Sequence, residues 1–174
     1  MKNICIYCSS SNAIDPVYFD AARQLATIMA HKQYGLVYGA GCIGLMGEIA
    51  RTLHAHGGHV TGIIPNRLNI DGVCYENCDK LIITKDMRER KHKMDELSDG
   101  FIALPGGFGT LEEISEMITG KQLGFHNKPL AFLNTNNFYT PLIGFFEQMY
   151  GQNFAKEDCR ELYFVSDKPE ECLE

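Results

Sequence analysis

The sequence predicts an α/β fold: a doubly wound, mainly parallel sheet with helices on both faces. Three observations lead there. Short apolar runs alternate with longer helical stretches along the chain, which is the order of βαβ units. The short runs are continuously apolar rather than alternating, as suits strands covered on both faces. Two of them run into glycine-rich turns that open helices, and doubly wound sheets bind ligands there, beyond the carboxyl ends of the strands.

The elements follow in order. The first strand is Asn3–Tyr7. Asp15-Pro16 then reads as an N-cap followed by proline at the first helical position, and Tyr18, Ala22, Leu25 and Met29 recur at helical spacing up to about Lys32. Leu36–Tyr38 is the second strand. The helix after it runs from about Gly44 to His56 and stops at Gly57-Gly58. His59–Ile64 and Leu81–Thr84 are strands, and a helix from about Met87 to Leu97 comes next. Phe101–Leu104 leads to a helix from about Leu111 to Leu123. Leu130–Leu133 leads to one from about Tyr139 to Tyr150, and Leu162–Val165 completes the strands. No internal repeat, low-complexity tract or linker interrupts the series. At about 150 residues per domain, residues 1–174 are expected to form a single domain.

Composition narrows the function. Apolar types at 45% and charged types at 22% exclude a disordered chain, a collagen-like repeat and a coiled coil. A net charge of −6 is the opposite of a nucleic-acid binder's balance. The longest uncharged stretch, Pro129 to Phe146, contains three asparagines, two threonines and, within it, Pro141, so no membrane span is expected. Seven cysteines form an odd set without framework spacing. No signal peptide opens the chain, and a reducing, cytoplasmic setting is expected.

The two glycine turns differ. Gly39-Ala40-Gly41-Cys42-Ile43-Gly44 matches G-x-G-x-x-G after a strand. A dinucleotide site also needs a carboxylate at the end of the next strand, and none occurs there before Asp71. Tight helix–sheet packing is the competing reading. The second turn is Pro105-Gly106-Gly107-Phe108-Gly109-Thr110-Leu111-Glu112-Glu113. A helix start at Thr110 would present unsatisfied N–H groups and a positive dipole end, which suits a phosphate. No G-x-x-x-x-G-K-[ST] occurs, so a monophosphate is expected. Thr110-x-x-Glu113 also fits a capping box. With Leu111, Ile114, Met117 and Ile118 as the buried face, Glu113 falls on the rim of the core and Glu112 points outward, and a rim carboxylate at the mouth of a phosphate loop is placed for chemistry.

The stretch Asp86-Met87-Arg88-Glu89-Arg90-Lys91-His92-Lys93-Met94 begins like a capped helix. Met87, Met94 and Leu97 define its apolar face, and Arg90 falls on that face while Arg88 and Lys93 point away. An inward arginine needs an anionic partner. The partner is either a structural carboxylate, or a carboxylate and a phosphate in a shared site.

These residues resemble a known family. Pro105-Gly106-Gly107-Phe108-Gly109-Thr110-Leu111-Glu112-Glu113, with Met87-Arg88-Glu89-Arg90-Lys91 upstream, resembles the LONELY GUY nucleotide phosphoribohydrolases. Their signatures are P-G-G-x-G-T-x-x-E and an R-K pair preceded by methionine. Cys8-Ser9-Ser10-Ser11, Gly39 to Gly47 and Thr61-Gly62-Ile63-Ile64-Pro65 support the likeness, which spans about residues 3 to 150. It implies a Rossmann-like homodimer with no cofactor and no metal. The implied reaction cleaves the N-glycosidic bond of N6-substituted adenosine 5′-monophosphates, and of AMP, to free base and ribose 5-phosphate. Arg90 and Glu113 match the catalytic positions. Lys91, Gly106, Gly107, Phe108, Gly109, Thr110, Leu111, Glu112 and Thr119, with Ser9 and Gly41, match the substrate-binding ones. Ala40 stands where many members have glycine, Arg88 where plant members have histidine, and Gly72 where plant members place a substrate-contacting glutamate. A non-catalytic nucleotide-binding or cofactor-carrier protein on the same fold is the alternative.

Other candidates carry less. Cys74 and Cys78 lack a second pair for a metal. Cys5 and Cys8 should face opposite sides of the sheet. His54 and His56 do not face each other on a helix, and with His59 they read as a solvated terminus. Tyr139, Leu142, Phe145, Phe146 and Met149 form an apolar stripe that serves the core or, in part, a dimer.

Overall fold

In a computed structural model, which describes residues 1–174, seven parallel strands form one sheet in the order β4-β3-β2-β1-β5-β6-β7. The strands are β1 (Asn3–Tyr7), β2 (Gly35–Tyr38), β3 (Val60–Pro65), β4 (Lys80–Thr84), β5 (Gly100–Ala103), β6 (Leu130–Leu133) and β7 (Phe164–Ser166). The helices are α1 (Pro16–His31), α2 (Gly44–Ala55), α3 (Met87–Glu96), α4 (Phe108–Gln122) and α5 (Thr140–Gly151). The predicted α/β class and parallel sheet are therefore present.

Alternation along each strand builds two cores. On one face Ile4, Ile6, Leu36 and Tyr38 meet Ala22, Leu25, Ala26 and Met29 of α1 and Leu45, Ile49 and Leu53 of α2. On the other, Cys5, Tyr7, Val37 and Ile63 meet Met94 of α3 and Ile114 and Met117 of α4. Cys5 and Cys8 belong to different cores, as the strand period requires. Tyr139 joins the second core, with Leu142, Ile143 and Phe146 of α5 packed against it, while Phe145 stays exposed.

Leu25 has no exposed surface and sits at the centre of the α1 face. Leu25→Ala removes its contacts and leaves a cavity, at a cost of about 2–5 kcal/mol. At 2–4 °C per kcal/mol for a chain of this size, thermal denaturation should show a Tm lower by roughly 5–15 °C.

Two local expectations fail. The seventh strand begins at Phe164, because residues Glu157–Leu162 form a 3₁₀ turn that takes up Leu162. More important for the site, α4 begins at Phe108 with Gly107 as its N-cap, and no side chain caps it. Thr110 is thus inside the helix, so the Thr110–Glu113 capping box does not form. Thr110, Ile114 and Met117 are the buried residues of α4, at i, i+4 and i+7. Leu111 lies just off that stripe and is exposed. The cap expected at the start of α3 forms at Asp86. Glu89 N–H donates to Asp86 Oδ1 at 2.9 Å, while the Glu89 carboxylate accepts from Lys85 N–H at 2.8 Å.

Candidate active site

The order of the sheet reverses at β1, which lies between β2 and β5. Loops on either side of such a point diverge and leave a crevice. A cavity of about 610 Å³ opens there, walled by residues following β1, β2, β3, β4 and β5.

The two glycine turns at its edges do different work. The first N–H groups of α2 are already satisfied. Gly44 N–H donates to Asn12 Oδ1 at 2.8 Å, and Leu45 and Met46 N–H donate to Ser9 O at 2.9 and 3.3 Å. Gly44 has φ +60, and a Cβ there would lie 2.5 Å from the Ser10 carbonyl carbon. The turn holding Gly39, Gly41 and Gly44 is therefore a close-packing device, as its competing reading held. Ala40 within it adopts φ +57, which explains why glycine suits that position.

The start of α4 is different. Leu111 N–H closes on Gly107 O at 3.1 Å. The N–H groups of Phe108, Gly109 and Thr110 have no acceptor in the protein, and all three residues line the cavity. Unsatisfied donors at the positive end of a fifteen-residue helix have the chemistry to hold an anion. Gly106 is needed behind them, since a Cβ there would fall 2.1 Å from Thr110 Oγ1.

Arg90 and Glu113 meet in this cavity. Arg90 Nη1 donates to Glu113 Oε1 at 2.6 Å, and Arg90 Nε donates to Ile63 O at 3.2 Å. Arg90 is 8% exposed and the Glu113 side chain 12%. The guanidinium lies against the end of β2, where a Cβ on Gly39 would stand 2.0 Å from Arg90 Nη2. Burial pushes the Glu113 carboxyl above the usual range, and the neighbouring guanidinium offsets only part of that. The folded chain therefore holds the Glu113 proton more tightly than the unfolded one. The stability this contributes is present at low pH and is lost as pH rises through the raised value.

Ser9, Gly41, Gly107, Phe108, Gly109 and Thr110 line the same cavity. Gly106 lines a smaller one of about 210 Å³ that also touches Ser9 and Gly107. Lys91, Leu111, Glu112 and Thr119 do not line the cavity. Lys91 Nζ binds the carboxylates of Glu112 and Glu116, and Thr119 donates to Ser115 O at 2.9 Å on an exposed face of α4. The histidines are more engaged than a solvated terminus. His54 bonds Tyr75 Oη and Asp79 Oδ2, each at 2.9 Å. Sequence reasoning missed the roles of Gly39, Asn12 and the Ile63 carbonyl. Only Gly39 left a signal, as a glycine at a strand end.

A family model described as "Possible lysine decarboxylase" matches residues 46–174. Cytokinin riboside 5′-monophosphate phosphoribohydrolase LOG5 of Arabidopsis thaliana is 40% identical over 173 residues, covering 99% of this chain and 76% of the relative. The chain belongs to the LOG family. LOG2 of the same plant is 41% identical over 161 residues, covering 92% of this LOG chain and 76% of the relative. The LOG fold extends to more distant proteins. The molybdenum cofactor binding protein of Rippkaea orientalis superposes with a TM-score of 0.74 at 20% identity, covering 99% of this chain and 94% of that one. No lysine lines the cavity of this LOG protein, so the decarboxylase label of the model finds no amine there.

Proposed function

We propose that this chain hydrolyses the N-glycosidic bond of adenosine 5′-monophosphates, N6-substituted ones included, to free base and ribose 5-phosphate. One observation carries the reading: the Arg90–Glu113 pair, 2.6 Å apart, shares a cavity with the unpartnered N–H groups of Phe108, Gly109 and Thr110. Those amides hold the 5′-phosphate, and the ribose then lies beside Glu113. Bond cleavage places positive charge on the sugar, as in other glycoside hydrolyses. A carboxylate in a poorly solvated site opposes that charge strongly. Glu113 stabilises the cation, or takes a proton from the attacking water. Arg90 holds Glu113 in position and keeps its charge in place. Binding energy at the phosphate, far from the broken bond, is used for positioning.

Adenosine, which lacks the phosphate, is therefore expected to show a kcat/KM at least about 10²-fold below that of AMP, measured as free adenine by chromatography. Equal rates would remove the phosphate site from the account. A carrier protein, as the alternative, would bind AMP and release no adenine. Catalysis needs ionised Glu113, so kcat/KM should fall as pH drops through a value above about 4.3, the ordinary glutamate pKa. A pH–rate profile checks this, and an acidic limb at or below that value would contradict it.

The assembly follows the same reading. Lys91, Glu112 and Thr119 face away from the cavity of their own chain, on the side of the exposed Leu111 of α4 and of Leu123 at its C-cap. These support a homodimer formed across that face. Residues 1–174 act as one nucleotide-binding domain. No helix is long and apolar enough to cross a membrane, and seven unpaired thiols fit a reducing, cytoplasmic setting.

A further inference from the structure

The glycine loop that leads into the free amides of α4 has little of its own to hold it. Gly106 and Gly107 are conformationally permissive, and a Cβ on Gly107 would meet nothing within 4 Å. Donors that bind an anion well are fixed in place beforehand, so the order of this loop must come from its entrance. Two carbonyls there are tied. Pro105 O accepts from Ser9 N–H at 3.2 Å. Leu104 O accepts from the Tyr139 hydroxyl at 2.6 Å.

The second tie comes from outside the cavity. The β5–β6 ladder ends at Ala103 and Phe132, and no backbone N–H donates to Leu104 O, although Leu104 is fully buried. A buried carbonyl without a partner is costly, and the Tyr139 hydroxyl supplies one. Tyr139 just precedes α5, is itself buried, and does not line the cavity. Its N–H donates to Asn134 Oδ1 at 2.7 Å, and its ring packs edge-on against Phe132 with centroids 4.9 Å apart. Backbone and ring are both held, so the hydroxyl is aimed. Pro105 passes the orientation on. Its ring fixes its own φ and restricts Leu104, so the Leu104 carbonyl sets the direction in which the chain enters Gly106. Packing explains the ring of Tyr139 in its apolar stripe; it does not explain the hydroxyl.

We propose that Tyr139 is a positioning residue for phosphate binding: through the Leu104 carbonyl, its hydroxyl holds the Pro105–Gly107 loop so that the N–H groups of Phe108, Gly109 and Thr110 converge on one anion. The proposal rests on the reading that these amides take the 5′-phosphate, and deepens it by naming what holds them. Tyr139 touches no substrate. Its loss weakens ligands that carry the phosphate and spares those that do not, a selectivity that a merely structural role would not produce.

The test is calorimetric binding of AMP, ribose 5-phosphate and adenosine to the unmodified chain and to Tyr139→Phe, which keeps the ring and its packing. AMP and ribose 5-phosphate should bind the variant at least about fivefold more weakly, as expected for one lost hydrogen bond, while adenosine stays within about twofold. Leu25→Ala, which loosens the core on the opposite face, should lower Tm and leave the preference for AMP over adenosine unchanged. If circular dichroism shows Tyr139→Phe unfolded, Asn134→Ala takes its place. It keeps the hydroxyl and frees the backbone that aims it, and the same selective loss is expected. Unchanged affinity for AMP and ribose 5-phosphate would overturn the assignment. So would an equal fall for adenosine, or the same lost preference in Leu25→Ala. An unmodified chain that binds neither phosphate ligand would overturn the phosphate site and the assignment with it. Because the readout is binding, a chain that binds as expected and releases no adenine would overturn the phosphoribohydrolase reading alone.

Discussion

Glu113→Gln is expected to lower kcat/KM for AMP by about 10²–10⁴-fold, with AMP still bound. Glutamine keeps the shape of the side chain and an oxygen for Arg90, but it carries no negative charge. It can neither oppose the positive charge that develops on the ribose nor accept a proton from water. The loss should appear in kcat, because this interaction strengthens only in the transition state. The three amides at the start of α4 are untouched, so calorimetric affinity for AMP should stay within a few-fold. The substitution also leaves Arg90 without a counter-charge at 8% exposure, so a lowered Tm is expected alongside. A variant that retains full turnover would end the catalytic role of Glu113.

Gly39→Ala is expected to cost about 10²-fold or more in kcat/KM, although Gly39 contributes no functional group. Its Cβ would stand 2.0 Å from Arg90 Nη2 and 2.9 Å from Met46 Cε. An arginine tip on the surface would move aside at little cost. This one is held by the Ile63 carbonyl and by Glu113, so it can move only by giving up those bonds. Glu113 then loses its partner while remaining buried, which raises its carboxyl further and shifts the acidic limb of the pH–rate profile upward. That shift distinguishes lost positioning from a general loss of folded protein. Activity and pH profile both near those of the unmodified chain would show that the guanidinium has room the geometry denies it.

Much of the fold and of the site is legible in the sequence. The sheet emerged because its strands are covered on both faces and so read as uninterrupted apolar runs. Arg90 emerged because a charged residue on the apolar phase of a helix must find an anion, and it does: Glu113. Other features were hidden for identifiable reasons. Glycine at a helix cap leaves no side-chain signature, so the sequence pattern starts α4 three residues late and puts Leu111 in the core in place of Thr110. The two glycine turns look alike as sequence. Only the acceptors at Asn12 Oδ1 and Ser9 O, distant from α2 in the chain, show that one helix start is satisfied and the other free. Lys91 and Thr119 matched family positions by order alone, and order does not reveal that they face outward from their own chain's cavity.

The most direct measurement is a crystal structure of Glu113→Gln soaked with AMP. The account predicts the 5′-phosphate within hydrogen-bonding distance of the N–H groups of Phe108, Gly109 and Thr110, with the ribose between Arg90 and residue 113. A phosphate bound at the start of α2, or a ribose out of reach of both side chains, would contradict it.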